Sequence, residues 1–210
     1  MLNFVPAQLH LEIAVRLAEK VDSWHWRRVA SGALASNYIA QADLERADVT
    51  LNRALPPGTP ARMLGQRIAW CSRIELALAR GTPDLALQYA EQLLTDVPDS
   101  ARGRPILRVY KLYGHVLTAL GRLTDAEEKY QNALHMAESH QARTEHWRIL
   151  AALGRLYHQI GDATKSDQAF TAARTMVEGI AGTINDLELR SIMLTGLVRY
   201  LSPDTDIWLL

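Results

Sequence analysis

Apolar residues recur at three- and four-residue intervals along most of this chain, the spacing that gathers them on one face of an α-helix. Tyr110, Tyr113, Leu117 and Leu120 make one such stripe. Ala7 to Val21 carries another through Leu9, Ile13, Ala14, Leu17 and Ala18, and Asp186 to Leu201 a third through Leu189, Met193 and Leu197. Between the stripes lie helix breakers: Pro56-Pro57-Gly58-Thr59-Pro60 and Pro98-Asp99-Ser100. Thr82 followed by Pro83 suits a helix start, and Thr124 with Glu127 three residues on has the form of a capping box.

The pattern repeats. Gly81, Gly121 and Gly161 stand forty residues apart, each followed five residues later by a small side chain: Ala86, Ala126 and Ser166. Ala42 and Ala47 hold the same two places one step earlier, offset by thirty-nine. Seven residues before each turn lie Ala35, Ile74, Gly114 and Gly154; nine after it lie Leu51, Ala90, Tyr130 and Phe170. The glycines at 81, 121 and 161 are expected to end helices in a left-handed conformation that costs a glycine nothing sterically. Gly114 and Gly154 are expected at close helix crossings, with Tyr130 and Phe170 filling the volume beside them. A bulky residue at Ala126 would overpack its crossing.

Tyr110-x-x-Tyr113-Gly114-x-x-Leu117-x-x-x-Gly121-x-x-x-x-Ala126-x-x-x-Tyr130-x-x-Ala133 and Leu150-x-x-Leu153-Gly154-x-x-Tyr157-x-x-x-Gly161-x-x-x-x-Ser166-x-x-x-Phe170-x-x-Ala173 resemble the tetratricopeptide repeat (TPR) family. Residues 58–99 keep Trp70, Gly81, Ala86 and Pro98 of that pattern, and residues 23–57 keep Leu34, Ala35, Tyr38, Ala47, Ala54 and Pro56. The resemblance implies an all-α, right-handed solenoid of antiparallel helix pairs, with about four repeats plus N- and C-terminal capping helices. The expected layout of the single domain is an N-terminal helix in 1–22, repeats in 23–57, 58–99, 100–140 and 141–180, and a capping helix with tail in 181–210. A HEAT or armadillo array has a compatible period but does not require the Gly-x-x-x-x-Ala turn. The period exceeds the roughly 34 residues typical of TPR units. Long-period arrays of this kind look like the sensor regions of multidomain bacterial signalling ATPases and maltose-regulator-like transcription activators. Thr183-Ile184-Asn185-Asp186-Leu187-Glu188-Leu189-Arg190 also looks like the closing segment of such proteins.

Composition narrows the functional classes. With 23 basic against 23 acidic residues, the chain has no global field toward nucleic acid or an anionic membrane, so charge recognition must be local. No stretch reaches about 18 uninterrupted apolar residues, and no membrane association is expected. Cys71 is the only cysteine, which excludes an internal disulfide and suits a cytoplasmic location. The phosphate loop, the dinucleotide glycine turn, His-Glu-x-x-His and Gly-x-Ser-x-Gly are all missing, so neither catalytic residues nor a cofactor are expected. His135, Glu138 and His140 match no standard metal spacing and read as a solvated helix end. Cys71 reads as a packing residue. His25-Trp26-Arg27 and His146-Trp147-Arg148 are two residues out of phase with the repeat, and Trp26, Trp70 and Trp147 read as helix-packing side chains.

In TPR proteins the first helix of each pair lines the inner face, where partners commonly bind. The stripe expected to face away from the core is Arg108, Lys111, His115 and Thr118 in the third unit and Arg148, Ala151, Arg155 and His158 in the fourth. Arg108, Lys111, His115, Arg148, Arg155 and His158 are therefore the candidate partner-binding residues, placed opposite no comparable acidic stripe. An acidic peptide or a C-terminal carboxylate would fit them; long side chains on a solvated helix face are the bland alternative. In the first two units the stripe reads Val29, Gly32, Ser36, Ile39 and Ile68, Cys71, Glu75, Leu78, an apolar half that the N-terminal helix covers or that takes an apolar ligand or partner helix. Ile207-Trp208-Leu209-Leu210 is an apolar tail expected to pack back, to pair with another copy as a homo-oligomer contact, or to mark where a longer protein was cut. The functional expectation is a non-enzymatic protein-protein interaction scaffold or sensor module of a larger bacterial signalling or regulatory protein. A small-molecule effector domain is the alternative.

Overall fold

The computed structural model describes residues 4–56, 58–95 and 107–203. Pro57, the Pro98-Asp99-Ser100 break and the Ile207-Trp208-Leu209-Leu210 tail lie outside them. Among the described residues there are ten α-helices and no strand: α1 (Phe4–Lys20), α2 (Trp24–Ala40), α3 (Leu44–Ala54), α4 (Leu64–Ala79), α5 (Pro83–Thr95), α6 (Leu107–Ala119), α7 (Leu123–Ser139), α8 (Arg143–Ile160), α9 (Ala163–Gly182) and α10 (Leu187–Tyr200). The stripes of period 3.6 have become helices throughout, and the fold is the all-α solenoid that the repeat implied.

Each hairpin turns on one residue of positive φ: Ala42 at 60°, Gly81 at 69°, Gly121 at 73° and Gly161 at 88°. The amide that follows reaches back five residues, so that Asp43, Thr82, Arg122 and Asp162 donate to the carbonyls of Tyr38, Ala77, Leu117 and Tyr157, each at 2.9 Å. Carbonyls that would be orphaned at the helix ends are thereby satisfied. The next helix then starts at once. Asp43 and Asp162 cap α3 and α9 by accepting from the amides of Arg46 and Lys165, and Pro83 opens α5, as expected. The capping box expected from Thr124 and Glu127 is not formed. Helix α7 already begins at Leu123, with Arg122 at the cap position and no side-chain cap bond, so the Thr124 hydroxyl lies past the place where it could cap.

The helices α2, α4, α6 and α8 stack directly on one another, and each carries its own outer helix, α3, α5, α7 or α9. The crossing within each pair sets one large residue against one small one. A Cβ on Gly114 would run into the Tyr130 ring, lying 2.6 Å from Cδ1, and one on Gly154 would lie 2.9 Å from the Phe170 ring. Ala35 and Leu51 share the first core cluster, and Ile74 and Ala90 the second. The pair is thus Ala with Leu, Ile with Ala, Gly with Tyr, and Gly with Phe, which keeps the summed volume nearly constant while its distribution changes. The glycines admit the Tyr130 and Phe170 rings that their spacing placed beside the crossing. Ala126 is fully buried at its crossing.

Two expectations about apolar residues fail. Trp147 packs edge-on against Tyr200 and is 6% exposed, but Trp26, two positions out of phase with it, is 60% exposed. Helix α1 lies at the N-terminal end, yet Leu9, Ile13 and Leu17 of its expected core stripe point outward, and only Ala18 is buried.

Candidate functional site

The stripe proposed for the inner face divides into columns of register-equivalent residues, and the columns have different fates. Val29, Ile68, Arg108 and Arg148 are half-buried along the inner surface. Gly32, Cys71, Lys111 and Ala151 are buried, as are Glu75, His115 and Arg155 of the next column. Only His158 of the six candidates is exposed. Lys111 and Arg155 are covered by lateral stacking, since a residue that points away from its own outer helix still meets the next inner helix, while His115 packs on Tyr130 of its own outer helix.

The acidic counterpart that the basic stripe lacks comes from neighbouring units. Glu75 of α4 is 4% exposed and accepts from Arg108 of α6, Nη2 lying 2.7 Å from both carboxylate oxygens and Nε 3.1 Å from Oε1. Ser36 of α2 donates to Glu75 at 2.6 Å and accepts from Arg108 at 2.8 Å. Ser72 closes the network by donating to the Gly32 carbonyl at 2.9 Å. Three successive inner helices are thus fastened by one buried carboxylate and one half-buried guanidinium. Glu145 at the start of α8 joins two inner helices, lying 3.4 Å from Lys111 of α6 and 3.2 Å from Arg148 of its own helix. Burial pushes its pKa up, but Lys111, Arg148 and Arg108 outweigh that and hold it below the usual carboxylate range.

These groups surround a pocket of about 290 Å³. Its floor is Arg108, Lys111, Glu75, Glu145 and Arg148; Phe4, Ala7 and Leu11 of α1, with Ala33, Ser36, Asn37 and Ala40 of α2, form the other wall. Three cations face two carboxylates, and two buried atoms, the Nε of Arg148 and the Oε2 of Glu145, have no hydrogen-bond partner. A single additional negative charge would balance the pocket.

Of the other three candidates, His158 is exposed and two serve the core. The Nδ1 of His115 lies 2.7 Å from the Tyr130 hydroxyl, and burial, then the Lys111 and Arg155 charges, hold its pKa well below the ordinary value. Arg155 donates from Nη1 to the Tyr200 carbonyl at 2.8 Å and lies over the Tyr200 ring, 5.0 Å from its centroid, which fastens α10 to α8. Cys71 is fully buried, and burial pushes its thiol up to about 12. Among the described residues no group of His, Cys, Asp or Glu is gathered as for a metal ion, and no helix is long and apolar enough to cross a membrane. A second cavity, of about 430 Å³, lies between units one and two beside the Trp70–Tyr89 pair, whose centroids are 5.3 Å apart.

No protein-family model matches the chain, and no curated protein matches it. Among solved structures it is similar to BtubC (BKLC) from P. vanneervenii, at 15% identity and a TM-score of 0.62 over 94% of this chain and 84% of that one. It is also similar to a protein from Podosopora anserina described as a kinesin light chain with nearly identical TPR-like repeats, at 16% identity and a TM-score of 0.56 over 86% of this chain and 89% of that one. At such identity the likeness is one of fold, and it agrees with the hairpin geometry: the chain is an all-α solenoid of TPR-like helix pairs.

Proposed function

We propose that this chain is a protein-interaction scaffold, performing no chemistry of its own, that holds an acidic segment of a protein partner in the charged pocket of its inner face. The observation that carries the reading is the unbalanced charge there: Arg108, Lys111 and Arg148 against Glu75 and Glu145, with the Arg148 Nε unpaired. A carboxylate from a Glu or Asp side chain, or from a C-terminus, supplies the missing charge and the missing acceptor. The role as a segment of a larger bacterial regulatory protein is supported by the forty-residue period.

Arg148 is the residue to alter, because Arg108 and Lys111 also hold the inner helices together. An array of acidic and neutral peptides should show capture of acidic members by the intact chain, weakening as salt rises. Arg148→Glu should abolish capture while leaving the circular-dichroism spectrum unchanged; capture that survives the reversal refutes the assignment. The pocket volume also suits a small anionic metabolite, and a thermal-shift response to metabolites without any peptide capture would select that second reading.

A further inference from the structure

Val21, Trp24, Trp26, Met63 and Leu64 stand exposed where α1 ends and where α2 and α4 begin, each between 46% and 67%. The backbone puts all five on one edge of the array. Val21 lies in the turn that leads into α2, where the Ser23 amide donates to the Ala18 carbonyl at 3.0 Å. Met63 and Leu64 come directly before Gly65, on which a Cβ would lie 2.8 Å from the His25 carbonyl oxygen and 3.5 Å from the Arg28 Cβ, so the first turns of α2 and α4 touch. Arg28 donates from Nε to the Ala54 carbonyl at 3.2 Å, which brings the end of α3 to the same edge.

The fourth repeat shows how a solvated start of an inner helix is built here. Trp24, His25 and Trp26 correspond in register to Met63, Leu64 and Gly65 and to Arg143, Thr144 and Glu145. Polar side chains thus hold in α8 the places that large apolar ones hold in α2 and α4. Met63 occupies the N-cap of α4, a position at which Ser, Thr, Asp or Asn would stabilise the helix. A cluster of exposed apolar residues at positions that local structure does not demand marks an interaction surface.

The same edge carries positive charge that the fold leaves unbalanced. Arg27 and Arg28 lie over the Trp24 ring, 4.6 and 5.1 Å from its centroid, and neither meets a carboxylate among the described residues. The buried Nε of Arg27 has no hydrogen-bond partner. Neither α2 nor α4 has an acidic residue in its first turn, so Arg27 sits near the positive end of the α2 dipole, where a carboxylate is favoured. Arg53 and Arg62, both exposed, add to the excess, which Glu19 and Asp22 at the end of α1 only partly offset.

From this arrangement we infer that the edge formed by Val21, Trp24, Trp26, Met63 and Leu64 docks on an anionic lipid bilayer, its apolar side chains entering the interface and its guanidinium groups level with the phosphates. The apolar side chains differ in shape, project from helix ends and are interleaved with arginines. A bilayer accepts such a set without a complementary shape and offers an apolar layer beneath a plane of negative charge. No helix among the described residues is long and apolar enough to cross, so the contact is peripheral. None of the five residues lines the charged pocket of the inner face, so the docking edge and the pocket are separate.

The test is cosedimentation of the full chain with vesicles of phosphatidylcholine alone and of phosphatidylcholine mixed equally with phosphatidylglycerol. The chain should pellet with the anionic vesicles and not with the neutral ones, and the binding should weaken as salt rises. Trp26→Ser combined with Met63→Ser should lower the partition about tenfold or more; both sites are exposed, and serine is a favoured cap at position 63, so the helical content should hold. Arg27→Glu, which suits the helix dipole, should lower it about tenfold as well. Arg148→Glu should bind vesicles as the intact chain does, which keeps this result apart from the fate of the pocket. Failure to pellet with anionic vesicles, or equal binding by the Trp26 and Met63 double variant, would overturn the inference. Capture of acidic peptides that is lost with Arg27→Glu, in the absence of vesicle binding, would assign the edge to a protein partner and overturn it too.

Discussion

Replacing Gly114 by alanine tests the packing rule where its terms can be separated. In an ordinary helix interior the change would stabilise by about 1 kcal/mol, because glycine gives up more backbone freedom. Here the new methyl meets the Tyr130 ring. That ring is fully buried, and its hydroxyl lies against His115 and Thr118, which oppose its retreat. Overpacking of this kind costs about 1–3 kcal/mol, so Gly114→Ala should be net destabilising by up to about 2 kcal/mol, or some 4–8 °C in Tm for a chain of this size. Tyr130→Leu alone leaves a cavity and removes the hydroxyl from His115, at roughly 2–4 kcal/mol. The double substitution recreates the Ala35 and Leu51 pair of the first unit, so its loss should fall short of the sum by about 1–3 kcal/mol. Urea unfolding of the four proteins closes the cycle. A stabilised Gly114→Ala protein, or additivity within about 0.5 kcal/mol, would refute the reasoning.

Ala42 holds at φ 60° the place that glycine holds in the other three hairpins, so Ala42→Gly should raise stability by about 1 kcal/mol, measured by chemical denaturation. His115 stays neutral in the fold because burial, then Lys111 and Arg155, depress its pKa. Below about pH 6.5 the unfolded chain therefore binds a proton that the folded chain refuses, and stability present above that pH is lost as pH falls, by about 1.4 kcal/mol per unit until the folded pKa is reached. His115→Gln should remove one proton from that slope. Cys71, buried and with its thiol pushed up to about 12, should resist a thiol reagent in the native protein and react fully in denaturant; rapid native labelling would contradict its placement.

What could be read in advance depended on whether one helix or several decide a residue's surroundings. The turn glycines, the helix starts at Pro83 and the pairing of Gly114 with Tyr130 are set within one hairpin, and local spacing was enough to find them. The fate of Lys111 and Arg155 is set between hairpins: spacing showed that they face away from their own partner helix but not that Glu145 of α8 and Tyr200 of α10 meet them, whereas His115 is held within its own hairpin against Tyr130 of α7. Glu75 stood in the same stripe as Cys71, yet its role as acceptor for Arg108 depends on stacking of the second unit on the third.

Consecutive forty-residue segments place equivalent residues in equivalent surroundings. The proton chemical shifts of the Gly114 and Gly154 Cα hydrogens measure this most directly, since each hydrogen pair should lie under an aromatic ring. Both signals should move upfield, with nuclear Overhauser contacts from Gly114 to Tyr130 and from Gly154 to Phe170, while Gly179 and Gly182, where an added Cβ would meet nothing within 4 Å, keep ordinary shifts. Ordinary shifts at Gly114 and Gly154, or contacts from the two glycines to unrelated residues, would contradict the account.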